Sequence, residues 1–215
     1  GIANITWLGK DDSTSGFDCG PGNMLMDGLM LALSDGRNSY DEGGELAATG
    51  QICQPLLEQL LNIPFLHKHP PKSTGREEFG SPIVDSILAW PEISDADRLA
   101  TACALSVESI AASVDFLPRP PQRWLVCGGG ACNTHLMRSL AARLAPAELS
   151  GTQDSGMPGQ AVEAASFALL ARQTLCGAAN TVAEVTGAAH PVCGGSVTPG
   201  DNWPSLLQDI PTWTR

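Results

Sequence analysis

The stretch with the most chemical potential is VCGGGACN, residues 126–133, where an apolar strand pattern gives way to three glycines and then to a helix pattern. Backbone without Cβ atoms lets the flat face of a base or sugar lie directly on the main chain, and the helix start offers N–H donors. A tight strand-to-helix turn needs one glycine, so Gly128, Gly129 and Gly130 together favour a ligand-facing surface. The spacing matches neither GxGxxG nor GxxxxGK[ST], which argues against a Rossmann or P-loop route to nucleotide binding. Two more glycine-bearing loops run into helix patterns: CGPGN, with Gly20, Gly22 and Asn23, and SGMPGQ at residues 155–160. Each alone reads as a turn. Three in one chain fit a cleft lined by backbone amides that holds a polyphosphate.

The charged side chains near these loops allow two readings each. Asp18, at a strand-to-loop junction, is an Asx turn or cap on one reading and a metal or phosphate-network group on the other. Glu163 lies one turn into the apolar run AVEAASFALLA and points either to solvent or into a polar cleft. The segment KSTGRE, residues 72–77, is an anion contact or a solvated loop, with the solvated loop slightly favoured.

Composition limits what these residues can serve. The chain has 215 residues and a formal net charge of -11, so it repels nucleic-acid backbones and anionic membrane surfaces, and neither is expected as a partner. Phosphate must then be held by local backbone dipoles or a metal. Seven cysteines, an odd number without a CxxC pair, point to a reduced, cytoplasmic protein with small buried thiols such as Cys103 and Cys127, which sit in apolar runs. His67 and His69 flank a lysine before Pro70 and Pro71 and read as exposed loop, not a metal site. No uninterrupted apolar run of spanning length and no signal peptide is found. The chain opens at Gly1 with a strand pattern already running, as expected of an excised or processed piece.

The elements that must position these groups follow from periodicity. GIANITWL alternates, with Ala3, Ile5 and Trp7 on one face, and KDDSTSG is turn chemistry, so a hairpin returning through Gly16, Phe17 and Asp18 is expected. NMLMDGLMLAL, residues 23–33, is a helix apolar nearly all round and therefore buried, with Asp27 and Gly28 interrupting it. A short helix is expected over residues 54–61 and a long one over residues 94–114, N-capped by Ser94 with Asp97 three positions on. A strand, the glycine run and a helix follow, then a short apolar piece near residues 147–149 and a helix over residues 160–175 closed by Gly177. The remainder after Pro191 reads as irregular. This order predicts an α/β layered domain.

Taken in order, GIANIT, GFDCGPGNMLMD, PKSTGREEF, VCGGGACNTHLM, DSGMPGQAVEAASFA and VTGAAHP resemble the C-terminal half of the anhydro-N-acetylmuramic acid kinases over nearly the whole chain. The resemblance implies an α/β, actin-like ATPase (ribonuclease H-like) lobe, a mixed sheet with helices on both faces. Residues 1–215 would be the C-terminal lobe of a two-lobed, cytoplasmic sugar kinase, homodimeric at full length, with ATP and Mg²⁺ as cosubstrate and cofactor. The reaction implied is the opening of a 1,6-anhydro sugar by water with phosphorylation of the freed O6, in peptidoglycan recycling. Gly1 and Asn4 in GIANIT fall in the family's second phosphate-contacting hairpin, whose usual preceding glycine is missing here. Asp18, Gly20, Gly22 and Asn23 would line the phosphate side, with a water-mediated metal contact open to Asp18. Gly128, Gly129, Gly130 and Asn133 would form the adenosine-side loop, and Glu163 would lie near the sugar hydroxyls. The first phosphate loop and the base aspartate belong to the family's N-terminal half, absent from this chain, so little or no sugar turnover is expected of it alone. A levoglucosan-type anhydrosugar kinase and a non-catalytic actin-like binding module are the alternative readings.

Overall fold

The computed structural model describes residues 1–11, 13–210 and 213. The chain divides into two compact units, Gly1–Gly159 and Gln160–Arg215.

The first unit begins with the expected hairpin. Strands β1 (Ala3–Leu8) and β2 (Thr14–Gly20) pair antiparallel, with Ile5 opposite Phe17 and a bulge between Ala3 and Asn4. Ala3, Ile5 and Trp7 pack with Phe17, Cys19 and Leu117, so the alternating apolar face is the buried one. Helix α1 (Met24–Leu33) follows directly and buries Leu25, Met26, Leu29 and Met30. Gly28 lets it come close to a neighbouring helix, since a Cβ there would stand 2.8 Å from Val84 Cγ2. A polar stretch with two short 3-10 turns leads to α2 (Gln54–Leu61), α3 (Arg76–Phe79) and α4 (Ser81–Leu88).

Helix α5 (Asp95–Ala112) is the central element. Ser94 Oγ accepts from the Asp97 N–H while Asp97 accepts from the Ser94 N–H, the capping box its sequence predicts. With the following turn, α5 is long and apolar enough by length and composition to cross a membrane, but 61% of that window is buried inside the fold. It is the core helix. Leu99 and Leu105 are fully buried in one cluster with Leu25 and Leu29 of α1, Leu56 of α2, Phe65, Phe79 and Ile87. Each such side chain contributes about 1.5–3 kcal/mol on burial. Arg98, inside this apolar helix, donates to the carbonyls of Ile87, Leu88, Trp90 and Ile93, satisfying the carbonyls where α4 ends.

Strand β3 (Arg123–Val126) gives way to a 3-10 turn at Gly129–Cys132 and to α6 (Thr134–Leu144). Strand β4 (Glu148–Gly151) returns parallel to β3, with Val126 opposite Gly151. The architecture is mixed α/β. Among the described residues, however, the strands form two separate two-stranded sheets rather than one mixed sheet, because β1–β2 and β3–β4 share no ladder.

The second unit holds α7 (Ala161–Leu175), α8 (Ala183–Thr186) and α9 (Trp203–Asp209). Gly177 (φ 63°) closes α7 as predicted: its N–H donates to Thr174 and that of Ala178 to Gln173, a Schellman motif. The tail is irregular as far as residue 200, but α9 corrects the expectation for its end. Pro204 sits in the first turn of α9, where its missing N–H has no intrahelical partner to lose.

Candidate functional site

The three glycine-bearing loops differ in what surrounds them. In the first, Gly20, Pro21 and Gly22 are all buried. A Cβ on Gly20 would stand 2.2 Å from Ser109 Oγ, and one on Gly22 (φ 53°) would stand 2.3 Å from the Gly1 carbonyl oxygen. Ser106 Oγ donates to the Gly22 carbonyl, and the Asn23 N–H donates to Gly1 O at 3.1 Å. These glycines make room for α5 and for the start of the chain. The side of each glycine where a Cβ would stand is filled by protein, so both are needed for packing.

The second loop is open. Cβ atoms on Gly128 or Gly129 would meet nothing within 4 Å, and one on Gly130 only ordinary contacts at 3.6 Å, to Asn23 Oδ1 and Leu136 Cδ2. Gly128 has φ 79° and ψ -173°, a conformation other residues rarely adopt, so the chain leaves β3 by a route that glycine alone makes easy. The first N–H groups of the ensuing turn have no intrahelical acceptor, so they are donors available to a ligand. Ligands of parallel strands bind at the strands' carboxyl ends, which is where this run lies.

The third loop meets the second inside the first unit. The Gly128 N–H donates to Gly159 O at 3.2 Å, and a Cβ on Gly159 would lie 3.7 Å from both Cys127 Cα and Thr152 Oγ1. Two buried polar atoms, Asn23 Oδ1 near Gly130 and Thr152 Oγ1 near Gly159, have no hydrogen-bond partner. Buried polar atoms are rarely left so, and an ordered water is their natural complement. One residue of each of the other two loops, Asn23 and Gly159, therefore lies against the glycine run. Two cavities of about 640 Å³ lie elsewhere among the described residues: one between α1 and the 37–49 stretch, the other within the second unit beside α7 and α9.

Asp18 is held by protein donors. Asn4 Nδ2 donates to Oδ1 at 2.8 Å, and Ser73 Oγ and the Thr74 N–H donate to Oδ2 at 2.9 and 2.8 Å. Asn133 caps α6, its Oδ1 accepting from the Leu136 N–H at 2.9 Å, and it is 7% exposed, so its side chain serves the helix start. Gly1 is exposed apart from its carbonyl contact with Asn23. Glu163 is exposed in the first turn of α7, in the second unit. Cys103 is buried as expected, and burial pushes its thiol and that of Cys19 up to about 12. Cys127 is exposed instead: among the described residues β3 pairs with β4 alone, and the open glycines follow it.

Among the described residues no group of three or more His, Cys, Asp or Glu side chains is placed to hold a metal ion. Asp18, the one acid assigned a metal contact from sequence, has both oxygens engaged. Among the described residues the side chains do not by themselves assemble a three-ligand Mg²⁺ site, and no metal step is derived from them. Two features escaped sequence reasoning, Thr152 and the placement of Lys72, because neither carries a local spacing signal.

Fold and site together define a mixed α/β protein with an open glycine run where a parallel strand passes into a helix. The family model for anhydro-N-acetylmuramic acid kinase matches residues 1–200, and the chain belongs to that family. It is similar to proteins named anhydro-N-acetylmuramic acid kinase from Acidithiobacillus ferrooxidans (45% identical, 98% of this chain and 54% of the relative) and Cupriavidus pinatubonensis (43%, 93% and 54%). One from Synechococcus elongatus is 40% identical over 92% of this chain and 54% of its own length. The chain spans about half the length of these curated relatives.

Proposed function

We propose that residues 1–215 act as the C-terminal, nucleotide-side lobe of an ATP-dependent anhydrosugar kinase with an actin-like ATPase fold. The reaction is the opening of the 1,6-anhydro ring of anhydro-N-acetylmuramic acid by water, with transfer of the γ-phosphoryl group to O6. Its product is the 6-phosphate used in peptidoglycan recycling. The observation that supports this most is the open run of Gly128, Gly129 and Gly130.

In this reading the glycine run carries the adenosine, whose ring and sugar lie on main chain free of side chains. Asn133 acts indirectly, by fixing where α6 begins. The β1–β2 hairpin, with Asn4 tied to Asp18, faces the phosphates, and Gly20 and Gly22 seat the loop after it against α5 and the start of the chain. Glu163, free in solvent here, is assigned to the sugar hydroxyls. Mg²⁺ is the expected companion of the nucleotide and would supply positive charge against its phosphates. The base aspartate and first phosphate loop come from the N-terminal half of the whole protein, a cytoplasmic homodimer, because in-line transfer needs both lobes around the triphosphate.

Calorimetric titration of ADP and ATP into the chain tests the reading. Binding is expected, and Gly129→Val should weaken it at least tenfold, since a branched side chain would stand where the nucleoside lies. Absence of binding, or binding indifferent to Gly129→Val, would overturn the assignment. Turnover of anhydro-N-acetylmuramic acid against levoglucosan by the two-lobed protein separates the two sugars.

A further inference from the structure

The KSTGRE segment is not explained by nucleotide contact, and its lysine is placed unusually. Lys72 Nζ lies 4.8 Å from the centroid of the Phe116 ring, 4.9 Å from Phe65 and 5.8 Å from Phe17. It donates to the carbonyls of Phe65 (3.4 Å) and Leu66 (3.3 Å). No carboxylate forms an ion pair with it among the described residues. An ammonium over aromatic faces is attracted by their quadrupoles. Partial burial lowers its pKa, and the nearby Cys19 opposes that shift.

The main chain that carries Lys72 crosses the hairpin. The Asp18 N–H donates to Lys72 O at 3.2 Å, and the next two residues donate Ser73 Oγ and the Thr74 N–H to Asp18 Oδ2. Asp18 in turn holds Asn4 across the strands. Thr74 Oγ1, buried in the same strap, has no hydrogen-bond partner. The strap is therefore fixed at one end by the caged cation and along its length by Asp18.

We infer that Lys72 is a positioning residue: its caged ammonium fastens residues 72–74 over β2 and thereby holds the Asp18–Asn4 pair in the geometry that the phosphate end of the nucleotide requires. The inference rests on the proposed assignment of the hairpin to the phosphate side. It gives KSTGRE a role neither as anion ligand nor as solvated loop. The ammonium is turned into the rings, and what it supplies to the hairpin is rigidity.

The test compares ATP with adenosine as probes, because a residue that only supports folding moves both alike. In the whole chain, Lys72→Met should weaken ATP binding about tenfold while adenosine affinity stays within about twofold. The Asp18 and Thr74 amides should exchange with deuterium at least tenfold faster. Lys72→Arg, which keeps a cation for the rings, should restore most of both. Should Lys72→Met fail to fold, Phe116→Leu removes one ring while keeping an apolar side chain, and should give the same pattern more weakly. Equal loss of ATP and adenosine, or unchanged exchange at both amides, overturns the role of Lys72 while leaving the nucleotide site standing. A wild-type chain that binds neither probe overturns the nucleotide site, and this role with it.

Discussion

The loop through Gly20 and Gly22 and the loop through Gly128, Gly129 and Gly130 both join a strand to a helix, yet their glycines are spent on opposite things. In the first, each missing Cβ is space taken by the protein: Ser109 of α5 against Gly20, the Gly1 carbonyl against Gly22. In the second, the space beside Gly128 and Gly129 is empty, and the neighbours of Gly130 are at ordinary distance. Glycine clustering is thus two signals in one alphabet. One kind brings backbone close to backbone inside the fold, and the other offers backbone to something outside it. The difference lies in the surroundings.

The largest effect should come from the closed loop. Gly22→Ala forces a side chain into a left-handed backbone and against a carbonyl oxygen 2.3 Å away, so urea unfolding should show a loss of about 2–5 kcal/mol. Gly20→Ala meets side-chain atoms instead and should cost about 1–3 kcal/mol. Adding Ser109→Gly, which removes the colliding Cβ at 2.7 Å, should make the double variant less destabilised than the sum of the two changes. Gly129→Ala inverts the pattern: stability should stay within about 0.5 kcal/mol of wild type while nucleotide affinity drops, by calorimetry. If Gly129→Ala destabilised the chain as Gly20→Ala does, the contrast between the loops would be lost.

The smallest effect lies away from both loops. Hydrogen bonds from the Gln51 N–H and from Ser94 hold the Asp97 carboxyl below its ordinary value. A folded pKa below the unfolded value of about 3.9 gives stability that is present above that value and lost as pH falls through the folded one. Asp97→Asn should therefore flatten the acid limb of a stability–pH profile below about pH 4 and leave both glycine loops unchanged.

These contrasts also explain what could be read in advance. The Ser94–Asp97 box, the β1–β2 hairpin and the Gly177 closure rest on neighbours within a few residues, so their patterns lie along the chain. The glycine run after β3 was legible for the same reason, since openness asks nothing of distant residues. The packing role of Gly20 and Gly22 leaves no local trace, because what they touch, Ser109 and Gly1, lies far along the chain or at its start. Arg98, tying off α4 from within an apolar helix, and Lys72 among three phenylalanines left no periodic trace either. Helix α9 was missed because glycine and proline just before it dominate the local composition.

The most direct test of the open glycine surface is a titration of the ¹⁵N-labelled chain with ADP, followed by amide chemical shifts. The account predicts that the largest changes fall on Gly128, Gly129 and Gly130, with Asn23, Thr152 and Gly159 moving next and Gly36 and Gly43 not at all. Shifts scattered over the chain, or none at the three glycines under saturating nucleotide, would contradict it.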